Sequence, residues 1–262
     1  MVAAAKKAAK GLVRDLGELE NLQVSRKGPA DYVSKADRRA EEILHTELRK
    51  ARPAYGFLME EAGAIDGTDT SNRWIIDPLD GTTNFLHGIP HFAISIGLER
   101  DSELFAGVIY SPVHDELYVA EKGGGAFLNG RRLRVSGRPK LDDALIATGI
   151  PFRGIPSHDL FLRQIGLVMG TCAGIRRYGS AALDLAYVAA GRYDGYWENG
   201  LFPWDVAAGI VLVREAGGFV SDLAGGRRML AGGGILAANP VLHAPLAALL
   251  ALGGCTQQRE VV

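Results

Sequence analysis

The stretch Trp74-Ile75-Ile76-Asp77-Pro78-Leu79-Asp80-Gly81-Thr82-Thr83-Asn84-Phe85 limits the fold more than any other part of the chain. Trp74 to Ile76 is an apolar run that reads as a buried strand, and it ends on a carboxylate, Asp77. Pro78 follows, and a residue before proline is pushed out of the α region, so Asp77 is expected extended at a strand tip. Asp80, Gly81 and two threonines then read as a turn into a helix. A strand end that delivers two acids and then helix-start amides has charge for a cation and donors for an anion.

The flanking chain supplies a setting for that stretch. Residues 4 to 22 carry an imperfect apolar stripe (Ala5, Ala8, Ala9, Leu12, Val13, Leu16, Leu19) and read as a helix; Ser25 to Asp31, with Gly28-Pro29, reads as a loop. A second helix is expected over 37 to 51, ended by Pro53. Tyr55 to Met59 reads as a strand delivering Glu60-Glu61, and 63 to 72 as a polar turn. Strands follow at 92–99, 104–110 and 116–121, and an Asn129-Gly130 hairpin joins 126–128 to 132–135. The second half alternates. Strands are expected at 144–149, 174–177, 193–197, 219–221 and 234–238, and helices at 157–170, 180–190, 205–216 and 240–252. The reading is therefore helices plus an antiparallel sheet over 1–138 and an α/β half over 139–262, forming one compact unit.

Composition removes several classes of function. With a net charge of -1, no whole-protein field draws in nucleic acid or an anionic membrane. No run of 18 apolar residues suggests a membrane span. The Ala/Lys-rich start, Met1 to Lys10, lacks an apolar signal core and is followed by Asp15, Glu18 and Glu20, which fits a surface helix better than a transit peptide. Cys172 and Cys255 give neither a disulfide framework nor zinc spacing, so a reducing cytoplasm is expected. Gly123-Gly124-Gly125 is not followed by a dinucleotide-loop pattern, and Gly88 and Pro90 spoil His87 and His91 as a helical metal pair.

Hard oxygen ligands such as Asp77 and Asp80 suit magnesium, which takes six oxygens at roughly 2.1 Å. Two such ions about 4 Å apart can clamp both the attacking and the leaving oxygen of a phosphoryl transfer. Taken alone, Asp80 is as well explained as a helix cap and Asp77 as a turn acid. Of Glu60 and Glu61, adjacent residues on a strand end point to opposite sides; Glu60 is the choice. Trp204-Asp205 opens an apolar helix, where Asp205 could simply be its N-cap and Trp204 a packing residue. Asp37 could likewise cap its helix or act in catalysis. Glu198 either accepts hydrogen bonds from sugar hydroxyls at the rim or faces water. Gly179-Ser180-Ala181 opens a helix whose amides could meet a polyol or phosphate. Convergence of these places on one site points to a metal-dependent phosphatase.

With EE at 60–61, DPLDGTTNF at 77–85 and WD at 204–205, three separated signatures in that order along the chain, the sequence resembles the inositol monophosphatase family, part of the lithium-sensitive, magnesium-dependent sugar phosphatases. The likeness runs from about residue 5 to 250 and is strongest to short bacterial members, through KADRRAEEIL, GTTNFLHGIPHFAISI, GSAALDLAYVAAGRYDGYWE and PWDVAAG. It implies an α-β-α-β-α layered sandwich, often a homodimer, and hydrolysis of a phosphate monoester, myo-inositol 1-phosphate first among them. It implies that Glu60, Asp77 and the Leu79 carbonyl hold one Mg2+, that Asp77, Asp80 and Asp205 hold a second, and that a weaker third leans on Glu60. Thr82, bonded to Asp37, would orient the attacking water; the Gly81 and Thr82 amides would grip the phosphate. Asp80, Gly179, Ala181, Glu198 and Asp205 would line the inositol side. Ala36 stands where many members carry threonine, and Phe202-Pro203 where animal members are more polar.

Two rival readings are kept. Fructose-1,6-bisphosphate or a nucleotide 3'-phosphate would need extra cations, for which Arg153, Arg176 and Arg177 are candidates, although a surface placement explains them better. An RNA- or transcription-associated interaction protein would use the basic run from Arg131 to Lys140, which otherwise reads as a solvated hairpin face.

Overall fold

The structure, a computed structural model, describes residues 1–18, 24–28, 31–151, 158–231 and 233–254. Helices α1 (Val2–Leu16) and α2 (Lys35–Ala51) pack on one another through small side chains: Ala4, Ala5, Ala8 and Ala9 on α1, Ala36 and Ala40 on α2. These recur at helical spacing, so each helix turns one stripe inward. Arg39 of α2 donates to the buried Asp15 of α1 at 2.8 Å. α1 stops at Leu16, with Gly17 as C-cap, short of the predicted 22; residues 19–23 lie outside the described residues. In place of the loop expected from Ser25 to Asp31 there is a hairpin, β1 (Val24–Gly28) with β2 (Asp31–Ser34). Val24, Tyr32 and Val33 are residue types that favour paired strands.

The first sheet has eight strands: β3 (Tyr55–Met59), β4 (Gly63–Ile65), β5 (Asp69–Asp80), β6 (Ala93–Arg100), β7 (Glu103–Ser111), β8 (Glu116–Glu121), β9 (Gly125–Leu128) and β10 (Arg131–Arg132). Their order is β10-β9-β8-β7-β6-β5-β3-β4, antiparallel throughout except for the parallel pair β3 and β5. The polar segment 63–72 is not all turn: Gly63–Ile65 pairs back on β3, and β5 begins at Asp69. Ladder partners there outweigh local polarity. The Asn129-Gly130 hairpin forms, both residues having positive φ. Its second strand is shorter than expected because Leu133 turns into the core and Val135 N–H leaves to bond Ala216 O.

The second sheet contains β11 (Leu145–Thr148), β12 (Gly174–Arg176), β13 (Gly195–Leu201), β14 (Phe219–Ser221) and β15 (Gly233–Ala238), in the order β12-β11-β13-β15-β14. β12, β11 and β13 are parallel; β15 runs antiparallel to both its neighbours. Helices α5 (Ala181–Ala189) and α6 (Pro203–Glu215) lie between the two sheets, α1 and α2 cover the far face of the first, and α4 (His158–Met169) and α7 (His243–Gly254) cover the far face of the second. This is the α-β-α-β-α layering. α6 is buried from Val206 to Val213 without a break, as a helix enclosed on every side must be. Glycines let it press close: a Cβ on Gly107 of β7 would lie 2.5 Å from the Ala208 carbonyl oxygen. No helix among the described residues is long and apolar enough to cross a membrane. Arg153, Cys255 and the tail from Gln257 lie outside the described residues.

Candidate active site

β5 does not end at Asp77. It continues to Asp80, with Asp77 opposite Ser95 and Asp80 opposite Ala93, so three steps on one strand face two on the other. That one extra residue is a β-bulge, and it holds Pro78, which has no N–H to give to a ladder. The consequence is chemical. Along a regular strand, residues three apart face opposite sides; the bulge cancels one alternation and allows Asp77 and Asp80 to share a side. Leu79 N–H donates to Asp77 Oδ1 at 2.8 Å, closing the turn from the acid's own side chain. The short helix α3 (Thr82–Leu86) follows, with Gly81 at its N-cap. Gly81 has φ +96, and a Cβ there would meet His91 O at 3.0 Å. Asp80 is therefore not the cap.

Glu60 sits in the turn after β3, its N–H donating to Ile76 O at 3.2 Å. Asp205 is in the first turn of α6 rather than at its cap; Phe202 N–H donates to Asp205 Oδ2 at 2.8 Å. Trp204 stacks on Phe202, ring centroids 5.0 Å apart. These acids come from three separate segments, and their charges meet. Burial pushes the Asp77 carboxyl well above its usual range, and Glu60, Asp80 and Asp205 push it further. Asp205 is raised likewise, first by burial, then by Asp80, Glu60 and Glu198. Asp80 is raised to about 6 by burial, although the Ser180 hydroxyl and the Ala182 N–H, the latter at 2.8 Å, oppose the shift. The Glu60 charge reaches both Asp77 and Asp205.

Asp37 lies inside the first turn of α2, fully buried. Thr82 Oγ1 is 3.1 Å from Asp37 Oδ1 and 3.0 Å from Leu79 O. A hydroxyl has one proton, so it serves one of these acceptors at a time.

On the other side of Asp80, α5 starts at Ala181 with Ser180 as N-cap, and Gly179 before it has φ +81. The Ala181 and Ala182 N–H groups are directed to Asp80. Glu198 is not beyond its strand but within β13, which runs on to Leu201. Its carboxylate accepts from Tyr196 Oη at 2.6 Å and occupies the space a side chain on Gly149 would need. Burial, more than the nearby Asp80 charge, raises Glu198 to about 7. Arg176 is exposed and donates to its neighbour's carbonyl, Ile175 O. Arg177 lies over Gly179, near enough for its charge to be felt by Glu198 and Asp184.

Sequence reasoning missed several supporting groups. Ser180 was read only for its backbone at a helix start, not for the hydroxyl that bonds Asp80; Tyr196 and the buried Asp184 were not singled out, nor was Ser95, whose hydroxyl donates to Trp204 O at 3.2 Å. Two carried a readable signal: Tyr196 stands two residues before Glu198 on one strand face, and Asp184 stands four after Ser180 on one helix face.

The donor set fits a hard divalent cation. The candidate ligands are all oxygens, and in Asp77 and Asp205 one carboxylate oxygen is pinned by a nearby backbone N–H, which fixes the plane of the group. A cation would relieve the mutual repulsion that raises these acids. Among the described residues, no three Asp, Glu, His or Cys side chains already enclose a single point at ligand distance.

The inositol monophosphatase family profile matches residues 1–252. The chain is 62% identical over 246 residues to an inositol-1-monophosphatase of Mesorhizobium japonicum, covering 94% of this chain and 92% of that protein. It is 49% identical over 240 residues to the Nus factor SuhB of Pseudomonas aeruginosa, covering 90% and 89%. Among solved structures, the extragenic suppressor protein suhB of Bartonella henselae superposes with a TM-score of 0.93 at 58% identity, over 95% of this chain and 96% of that one. Profile, sequence and fold agree over nearly the whole length: the chain belongs to the inositol monophosphatase family.

Proposed function

We propose that the protein is a magnesium-dependent phosphatase that hydrolyses myo-inositol 1-phosphate to myo-inositol and phosphate. The observation that carries this reading is the convergence of Glu60, Asp77, Asp80 and Asp205, from three distant segments, beside the Thr82–Asp37 hydrogen bond. Glu60, Asp77 and the Leu79 carbonyl would hold one ion; Asp77, Asp80 and Asp205 would hold a second. Magnesium, when bound, lowers the pKa of water and takes up phosphate charge. The rest falls to side chains. With the Leu79 carbonyl engaged elsewhere, the Thr82 proton goes to Asp37, and the threonine oxygen is left to accept a hydrogen bond from the attacking water, holding it in line. The Gly81 and Thr82 N–H groups face the phosphate oxygens, since leading amides of a helix have no partner within it. Gly179, Ala181, Glu198, Asp80 and Asp205 line the side taken by the polyol, where Glu198, steadied by Tyr196, accepts hydrogen bonds from its hydroxyls.

The protein is further read as a cytoplasmic homodimer, inhibited by lithium, with residues 1–138 and 139–262 as two halves of one unit. The test is phosphate release from myo-inositol 1-phosphate, fructose 1,6-bisphosphate and a nucleoside 3'-phosphate, with magnesium and with chelator. The inositol ester is expected to turn over fastest, and chelator to abolish turnover. Equal rates on the bisphosphate would demote inositol. The alternative, an RNA-binding role, has in its favour exposed Arg131, Arg132 and Arg134 at the sheet edge. It predicts an affinity that falls steeply with salt.

A further inference from the structure

The turn that carries Glu60 spans residues 60–62 between β3 and β4 and is tethered twice. On one side, Glu60 N–H bonds Ile76 O, next to Asp77. On the other, the next two N–H groups, of Glu61 and Ala62, both donate to the Glu41 carboxylate, each at 2.9 Å and each to its own oxygen. Glu41 belongs to α2 and is only 6% exposed. Asp37, the acceptor for Thr82, lies four residues earlier on the same helix, and residues i and i+4 share a face. One face of α2 therefore reaches both the Glu60 turn and the water-orienting threonine.

The Ala62 end of this turn borders open space. An open cavity of about 190 Å³, bordered by Arg38, His45, Met59 and Ala62 as well as Glu41, lies against it. The geometry points to Glu41 as a positioning residue: by capturing the two N–H groups that follow Glu60, it aims the Glu60 carboxylate at the Asp77–Asp205 cluster and so sets magnesium affinity. Only a carboxylate can accept from both N–H groups with both oxygens; a glutamine in its place turns an NH2 group toward one of them. The proposal rests on Glu60 being a cation ligand. Outer-shell partners of ligands are commonly worth 10- to 100-fold in metal affinity, by order of magnitude about tenfold for one tether.

The test is magnesium binding by titration calorimetry on the full chain, with thermal unfolding in parallel, for the parent protein, Glu41→Gln, Glu41→Asp and Asp77→Asn. Glu41→Gln is expected to weaken magnesium about tenfold. Its kcat at saturating magnesium, and its KM for myo-inositol 1-phosphate, should stay near those of the parent. Glu41→Asp keeps both acceptors but withdraws them by one methylene, so it is expected to fall between; it carries the test if the glutamine variant does not fold. Parent-like magnesium binding in both variants overturns the proposal, as does a kcat loss that added magnesium does not recover. A parent protein that binds no magnesium, with Asp77→Asn indistinguishable from it, removes the cation reading and this proposal together. Binding that is lost in Asp77→Asn yet unaltered at position 41 removes only the role of Glu41.

Discussion

Ser95 Oγ donates to the carbonyl oxygen of Trp204 at 3.2 Å, and this joins the two segments that bring Asp77 and Asp205 together. Ser95 is the ladder partner of Asp77; Trp204 immediately precedes Asp205. One hydroxyl thus ties the acid of the first sheet to the acid of the inter-sheet helix. Ser95→Ala should cost about 1 kcal/mol of stability, the net worth of one neutral hydrogen bond. It should also raise the magnesium concentration needed for half-maximal activity. Denaturant unfolding and a magnesium titration of turnover check the two parts separately.

Asp205→Asn should cut turnover by orders of magnitude with the fold intact, because the amide keeps an oxygen for the Phe202 N–H but removes the negative charge. In chelator the same substitution should stabilise the protein by about 1 kcal/mol, since it relieves crowding that is retained for function. Melting curves in chelator and phosphate release in magnesium should move in opposite directions. Near-normal turnover would contradict a ligand role for Asp205.

Helices with an antiparallel sheet, then an alternating α/β half, and the kinds of residue at the candidate site were legible in the chain; the layering came from the family resemblance, and the local geometry that gathers those residues was not legible. Asp77-Pro78-Leu79-Asp80 shows two acids at an odd spacing, which on a regular strand means opposite faces. The bulge that reconciles them exists only against Ser95 and Ala93, and a partner strand is not written in the segment itself. The strand expected at 193–197 left Glu198 just beyond its end; pairing of Glu198 with Ile235 and of Asn199 with Gly234 carries β13 on to Leu201. Both ends of the polar stretch 63–72 are strand for the same reason, Gly63–Ile65 through pairing with β3 and the part from Asp69 through pairing with β3 and β6. Helices were easier, because the alanine stripe of α1 and the continuous apolar run of α6 are local signals of one-sided and complete burial.

Acid strength at the site gives a pH dependence of stability. Asp80 is raised from 3.8 to about 6, and Glu198 from 4.5 to about 7, both chiefly by burial. A raised carboxyl binds its proton more tightly folded than unfolded, so its contribution is present at low pH and lost as pH rises through the folded value. In chelator, stability should therefore fall between about pH 4 and 7. His91 opposes this: burial lowers it from 6.5 to about 4, so the unfolded chain takes up the proton first, and its effect is a gain in stability as pH rises across that window. His91→Phe keeps a ring against Tyr178 and should steepen the decline. With magnesium bound the Asp80 carboxylate is held ionised and its share of the fall should vanish, leaving the shallower share of Glu198, which burial raises and which is not a ligand. Melting temperature against pH, with chelator and with magnesium, reads all three.

Close approach of α6 to the first sheet sets the position of Asp205, and it depends on side chains that are missing. Gly107 has no positive φ, so alanine there meets no backbone strain, only contact: its Cβ would lie 2.5 Å from Ala208 O and 2.9 Å from Ala208 Cα. Both are backbone atoms of a buried helix and cannot swing aside. Gly107→Ala should destabilise by about 1 to 3 kcal/mol, the usual cost of overpacking, and should weaken magnesium binding by displacing the start of α6. Gly166, on the exposed side of α4 with nothing within 4 Å of its would-be Cβ, is the contrast. Gly166→Ala should stabilise by about 0.5 to 1 kcal/mol through helix propensity and leave magnesium binding unchanged. Chemical unfolding of the two variants, each with a magnesium titration, distinguishes contact from conformation. Equal effects at both positions would mean that α6 is not held close by Gly107.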